Sequence, residues 1–259
     1  MLIPRIVPCL LIDDGAMLKT RKFTKATYLG DPVNVINLFN QFEVDEIVLL
    51  DIGASQKAKR PDFSLIEQLA GECWVPLTYG GGIQSLNDVE TLILAGVEKV
   101  VVGTAAATNL DLITEMAREF GTQCIVGSID AKRHFWNGYD VRYCHASRSL
   151  NATPKIWARR LQEAGAGEIL LQSIDRDGEM SGYDLDLIAD VASAVDIPVV
   201  ACGGAAARSD LALPILRAGA SAAAAGSLFV FSGRERGVLI NFPERLELEG
   251  LLELKSSES

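Results

Sequence analysis

Pro76-Leu-Thr-Tyr-Gly-Gly-Gly82 and Pro198-Val-Val-Ala-Cys-Gly-Gly204 are two versions of one phrase. Each is followed by an Ala-Gly pair, Ala95-Gly96 and Ala218-Gly219. Each then reaches an apolar run that ends in a glycine and a hydroxyl, Val102-Gly103-Thr104 and Ala225-Gly226-Ser227. The offset is 122 residues from Gly81 to Gly203 and 123 from Gly103 to Gly226, close to half of the 259-residue chain. A duplication of that period is the mark of an architecture built from two equivalent halves.

Working outward from those phrases, short β-branched runs alternate with amphipathic stretches. Strands are predicted at Arg5–Ile12, Glu46–Asp51, Val75–Tyr79, Lys99–Val102, Cys124–Ile129, Glu168–Ser173, Pro198–Cys202 and Ala222–Ala225. Most are apolar throughout, as strands covered on both faces are. Helices are predicted at Pro32–Phe42, Phe63–Ala70, Leu86–Ala95, Leu110–Phe120, Pro154–Ala164, Leu185–Val195 and Asp210–Ala218. Asn109 or Thr108 is expected to cap the fourth and Ser209 the seventh. Ala95-Gly96, Ala164-Gly165 and Ala218-Gly219 are expected to close helices with a left-handed glycine. The long interval Lys132–Thr153 carries a hairpin, with an Asn137-Gly138 turn leading into Tyr139–Tyr143.

The fold class is α/β: one (β/α)8 barrel with a half-barrel repeat, residues 1–248, followed by a polar tail, 249–259. An open doubly wound sheet is the competitor, but the glycines do not form its GxGxxG nucleotide loop.

Composition sets the outer limits. The chain is 49% hydrophobic and 22% charged, which suits a packed globular domain rather than a disordered chain. Its net charge of -10 argues against nucleic acid, whose binders carry dense basic patches. Lys57, Lys59 and Arg60 make only a short basic run, read as a solvated loop. The N-terminal apolar stretch is broken by Arg5 and two prolines, so neither a signal peptide nor a membrane span is expected. Five cysteines without metal-like spacing suit a reducing cytoplasm. No metal and no cofactor is expected. The Asn151-Ala-Thr153 match to a glycosylation site is read as chance.

In such a barrel the chemistry sits at the C-terminal ends of the strands. Glycine lets backbone N–H groups approach an anion, so Gly81, Gly82, Gly103 and Thr104 form one expected phosphate cradle. Gly203, Gly204, Gly226 and Ser227 form the other. Two cradles across one mouth suggest a small molecule with a phosphate at each end, although tight turns alone also need glycine. Asp130 follows an apolar run directly and is the leading acid–base candidate. Asp13, Asp14, Asp51, Asp175 and Asp177 are strand-end acids, equally readable as Asx turns. Lys19 is placed to neutralise an anion from the first loop. His134 and His145 lie in the hairpin with no visible partner and are read as loop histidines.

The combination of Arg5-Ile-Val-Pro-Cys-Leu10, Gly30-Asp-Pro32, Tyr79-Gly-Gly-Gly-Ile83, Ser128-Ile-Asp-Ala-Lys-Arg133, Ser173-Ile-Asp-Arg-Asp-Gly178 and Gly203-Gly204 resembles the cyclase subunit of imidazole glycerol phosphate synthase, the HisF-type barrel, over essentially the full length. The resemblance implies a HisH-like glutaminase partner on the N-terminal face of the barrel. It also implies ammonia passing through the barrel to a bisphosphorylated ribulosyl intermediate, with imidazole glycerol phosphate and AICAR as products. It makes Arg5, Glu46, Lys99 and Glu168 the ring that gates ammonia. Asp130 becomes the second catalytic aspartate and Asp177 a residue beside a phosphate, with Asp51 and Ser173 as further contacts.

The family's first catalytic aspartate does not match, because Cys9-Leu10 is followed by Leu11. Asp13, two residues on, is a weak substitute, since catalysis tolerates little misplacement. Gly53 and Gly103 also replace polar residues of the family. On these grounds the chain looks more like the barrels of lipopolysaccharide or surface-sugar pathways, which pass ammonia to a sugar amidotransferase. The alternatives are a genuine cyclase of histidine biosynthesis and a non-catalytic activator of the glutaminase.

Overall fold

The first strand, β1 (Arg5–Asp13), has parallel neighbours on both edges, so its seven central residues are buried. Its side chains alternate between two cores. Val7 and Cys9 enter an inner cluster with Val48, Val101, Val126, Leu170 and Val200, while Ile6, Leu10 and Ile12 join the outer core beneath the helices. The structure is a computed structural model that describes residues 4–256 except positions 43, 135, 137 and 234.

The remaining barrel strands are β2 (Ile47–Asp51), β3 (Leu77–Gly80), β4 (Lys99–Val102), β5 (Ile125–Arg133), β6 (Glu168–Ser173), β7 (Val199–Cys202) and β8 (Ala222–Ala225). Each pairs in parallel with the next, and β8 returns to β1 with Arg5 opposite Ala222, which closes the ring. This is the expected (β/α)8 barrel.

Seven helices wrap it: α1 (Pro32–Gln41), α2 (Phe63–Glu72), α3 (Leu86–Leu94), α4 (Asp111–Phe120), α5 (Pro154–Ala164), α6 (Leu185–Ala192) and α7 (Leu213–Ala218). Asp31, Asp62, Ser85, Thr153 and Asp184 cap five of them through side-chain oxygens. Gly96, Gly165 and Gly219 have the positive φ expected of helix-ending glycines.

Two caps differ from expectation. Helix α4 starts without a side-chain cap, because Thr108 and Asn109 finish a short preceding helix, Thr104–Thr108. The seventh begins as a 3-10 turn, Arg208–Ala212. There the Asp210 carboxylate, rather than Ser209, takes the amides of Ala206 and Ala207.

Two additions lie on the C-terminal face. A hairpin, Ala16–Lys19 with Thr27–Gly30, extends β1 through an Asp14-Gly15 turn with both φ values positive. After β5, Tyr139–Tyr143 pairs antiparallel with β5 as expected, while Asn137 of the expected turn lies outside the described residues. A last helix, α8 (Arg245–Ser256), runs across position 248 and buries Leu248. Among the described residues no helix is long and apolar enough to cross a membrane, and no group of three or more His, Cys, Asp or Glu is placed to hold a metal.

Candidate functional site at the barrel mouth

The mouth consists of two adjoining cavities. The larger is lined by Asp51, Gly81, Gly82, Gly103, Thr104 and Asp130, the smaller by Lys19, Asp177, Gly203, Gly204, Gly226 and Ser227. Leu11 and Gln172 line both, so they form the seam. The two expected cradles are therefore brought to one opening.

The cradles are conformational copies. Gly103 stands before helix Thr104–Thr108 with φ -115 and ψ -79. Gly226 stands before helix Ser227–Val230 with φ -111 and ψ -70. Neither helix has a side-chain cap, which leaves its first amides without a side-chain acceptor. The glycines have packing reasons of their own. Gly81 has φ +118, and a Cβ there would stand 2.3 Å from the Asp51 carbonyl; at Gly204, φ is +113 and the same atom would stand 2.2 Å from that of Gly182. Turn geometry alone requires these glycines, so the direct argument for an anion rests on the uncapped helix starts and on Ser227. Its Oγ is buried and has no hydrogen-bond partner.

Lys19 does reach the smaller cavity. Its ammonium donates to Asp177 at 2.6 Å, and Asp177 also accepts from the Thr20 hydroxyl at 3.0 Å. Both partners are buried. Asp177 thus touches the cradle through the lysine it holds, since a carboxylate offers an anion no donor. Ser173 lies beneath Gly203 with its hydroxyl buried and unpartnered, and it lines neither cavity.

Asp130 projects into the larger cavity beside Gln172, its register partner on β6. Its carboxyl makes no hydrogen bond to the described residues. Burial first, and then the negative charge of Asp177, pushes its pKa up to about 7. Asp51 is tied down instead, accepting the amides of Gly53 and Ala54 at 3.0 and 2.9 Å in an Asx turn. Burial raises its pKa in spite of those bonds.

Leu11 is 4% exposed and occupies the seam as an apolar contact. β1 continues to Asp13, which puts Asp13 on the Leu11 face as strand periodicity requires. The Asp13 carboxylate turns instead to Lys57, 2.6 Å away, and lines neither cavity. Gly53 makes the room, because a Cβ there would lie 2.0 Å from Asp13 Oδ1. Of the basic run read as solvated, Lys57 and Lys59 pair with Asp13 and Asp14, and Arg60 with buried Asp88.

At the opposite end of the barrel, Arg5 bonds both Glu46 and Glu168, and Lys99 reaches the same two carboxylates at 3.2 and 3.0 Å. Burial works against the Arg5 charge, yet the two glutamates more than offset it, so its pKa stays above the usual guanidinium value. Directly above this ring is a small cavity lined by Val7, Val48, Val101, Val126, Leu170 and Val200, sized for about one water-sized molecule. Cys9 and Cys202 continue the apolar interior up to the smaller mouth cavity.

His145, read from sequence as a plain loop residue, also lines the larger cavity. Its Nε2 lies 2.6 Å from the Phe23 carbonyl, which joins the post-β5 hairpin to the first loop. Phe23 and Gln172 carry no mark in the sequence either. No spacing signal reveals contacts between loops so distant along the chain.

The mouth of this closed (β/α)8 barrel thus brings together two glycine turns before uncapped helix starts and, among the described residues, one cavity-lining acid without a hydrogen-bond partner, Asp130. The profile of the histidine biosynthesis protein family matches residues 5–234, and the chain belongs to that family. It is 48% identical over 245 residues to a Pseudomonas aeruginosa protein named, provisionally, imidazole glycerol phosphate synthase subunit hisF2. The match covers 95% of this chain and 98% of that one. A Leptospira interrogans protein with a provisional HisF name is 43% identical over 97% of this chain and 99% of its own. The imidazole glycerol phosphate synthase subunit HisF of Halalkalibacterium halodurans is 43% identical over 88% and 91%. The chain is thus a HisF-like barrel of the histidine-biosynthesis type. The surface-sugar specialisation first expected goes beyond what these relatives carry.

Proposed function

We propose that the barrel uses ammonia at its mouth to close a ring on a bisphosphorylated ribulosyl intermediate, as the cyclase half of an imidazole glycerol phosphate synthase. A HisH-like glutaminase docks on the N-terminal face and releases ammonia at the ring of Arg5, Glu46, Lys99 and Glu168. The apolar interior carries it upward. The observation that bears most weight is Asp130: an unpartnered carboxyl with a pKa near 7, in a mouth flanked by two cradles. Each cradle takes one phosphate through helix-start amides, with Thr104 and Ser227 adding hydroxyls and Lys19 adding charge. The free thiols suit a reducing cytoplasm.

A second reading is favoured by one observation, the apolar seam at Leu11. With one acid absent and Asp13 held by Lys57, the barrel relays ammonia to a sugar amidotransferase of lipopolysaccharide biosynthesis. The two are separated by purifying the chain with its glutaminase and measuring turnover of the ribulosyl intermediate with free ammonium and with glutamine. Formation of imidazole glycerol phosphate and AICAR supports ring closure. No products, with glutaminase stimulation intact, overturns it in favour of relay. The cradles argue against a silent activator, since they face away from the docking side.

A further inference from the structure

We propose that His145 is a proton-transfer residue of the mouth and supplies the acid–base function absent at Leu11; this rests on the ring-closure reading above. Three observations converge on it. His145 lines the same cavity as Asp130 and Leu11, and that cavity's other titratable lining group, Asp51, has one carboxylate oxygen committed to two amides.

The imidazole is also held in one orientation. A carbonyl oxygen only accepts, so the 2.6 Å contact with Phe23 requires a proton on Nε2. That fixes the tautomer and leaves Nδ1 as the atom that gains and loses a proton; it has no partner among the described residues. The ring packs against that of Phe23, with centroids 5.6 Å apart.

Finally, the backbone around it is costly. Cys144, His145 and Ala146 have φ of 52, 54 and 61, and Lys22 and Phe23 across the contact have 49 and 58. Five non-glycine residues in the left-handed region, at the meeting point of two loops, require surroundings that hold them there. Cys144 N–H donates to Thr104 Oγ1 at 3.1 Å, and Ser147 Oγ donates to the Cys144 carbonyl at 2.6 Å. Lys22 N–H donates to the Asp177 carbonyl at 2.9 Å. His145 is thereby tied to the Thr104 cradle on one side and to Asp177 on the other.

The step balances between two groups. As the ammonia nitrogen bonds to a carbonyl carbon of the substrate, Nδ1 of neutral His145 takes one of its protons. The C=O π pair moves to oxygen, which receives the proton of neutral Asp130. Imidazolium and carboxylate remain, and they exchange back when water leaves later in the closure. The charged or titratable groups around His145 are Asp51 from β2, Asp130 from β5, Cys144 in its own loop, and Asp177 with Lys19 behind Phe23.

The test uses the full chain with its glutaminase, free ammonium and the ribulosyl intermediate. His145→Ala is expected to lower kcat by about 10²-fold or more, to shift KM less than about threefold and to recover partly with added imidazole. His134→Ala, on the exposed part of the hairpin, serves as the control. If wild type turns over and His145→Ala stays within about threefold of it, the proposal is wrong and the ring-closure reading stands. If wild type forms no product, that reading fails, and ¹⁵N imidazole NMR decides on His145 alone. The chain has only two histidines, and His134→Ala assigns them. An Nε2–H tautomer in the neutral ring supports Nδ1 as the proton-exchanging atom. The other tautomer overturns it.

Discussion

Leu11 shows how far one side chain can alter a site whose surroundings are intact. It is buried on the seam between the cavities, within the lining that also holds Asp130. Leu11→Asp places a carboxyl in that apolar position. Lost packing and desolvation are expected to cost about 2–4 kcal/mol, read as a lower melting temperature. The same variant is expected to raise ammonium-dependent turnover of the ribulosyl intermediate about tenfold if a second acid–base group limits the rate; an unchanged rate would place the limit elsewhere.

Asp130 makes a pH prediction with a definite sign. Its folded-state pKa of about 7 lies above the ordinary 3.8, so between those values the folded protein holds a proton that the unfolded chain has released. Stability therefore falls as pH rises through that window, at a slope of at most about 1.4 kcal/mol per pH unit and by a few kcal/mol in all. Asp130→Asn removes the fall. Its stability relative to wild type, from denaturant melts, is expected to improve from about pH 4 to about pH 8. If Asp130 donates the proton in ring closure, kcat is expected to decline as pH rises past about 7.

At the scale of elements, the strands were legible because burial on two faces leaves unbroken apolar runs, and the barrel followed from the repeat. Ala222–Ala225 is instructive, since alanine has little strand preference and these four residues are extended because β7 and β1 pair with both edges. Ala222 and Ala224 join Cys9 and Cys202 in the inner apolar cluster. The hairpin Ala16–Lys19 with Thr27–Gly30 leaves little trace in the sequence beyond the Asp14-Gly15 turn signal, because its strands are four residues long. The acids at strand ends were visible one by one. That Asp13 would bond Lys57 and Asp177 would bond Lys19 depends on tertiary neighbours that spacing does not encode.

Arg5, Lys99 and Glu168 open their strands and Glu46 directly precedes β2, which gathers the four into the ring at the base. Glu46 and Glu168 are nearly buried and share the two cations. Arg5→Ala leaves them facing each other across Lys99 alone. Since Arg5 itself is about one-third exposed, solvent screening reduces the cost, and about 1–3 kcal/mol is expected by thermal melt. Glutamine-driven turnover should fall more than turnover with free ammonium added at the mouth. An equal loss of both would argue that the ring supports the fold without controlling ammonia.

For the whole molecule, the half-barrel repeat becomes a statement about binding. Gly103 and Gly226 share backbone angles within 10°, each before an uncapped helix start, yet the halves have diverged around them. One side has Lys19 held by Asp177 and the orphaned Ser227 hydroxyl. The other has Asp51, Thr104 and the His145 loop. Two anion sites of similar geometry and unequal strength are therefore expected, the stronger beside Lys19. Orthophosphate titrated by calorimetry should resolve two sites, and Ser227→Ala should weaken one about fivefold, since a net hydrogen bond to a charged group contributes on the order of 1 kcal/mol or more. On the ring-closure reading, the products imidazole glycerol phosphate and AICAR each carry a single phosphate, enough for one cradle. On the same reading the bisphosphorylated ribulosyl intermediate spans both cradles, its second contact being intramolecular, and is expected to bind about 10²-fold more tightly than either product. Equal affinities for all three would mean that the cradles act independently, and that the symmetry of the fold is a record of duplication without a role in holding one ligand.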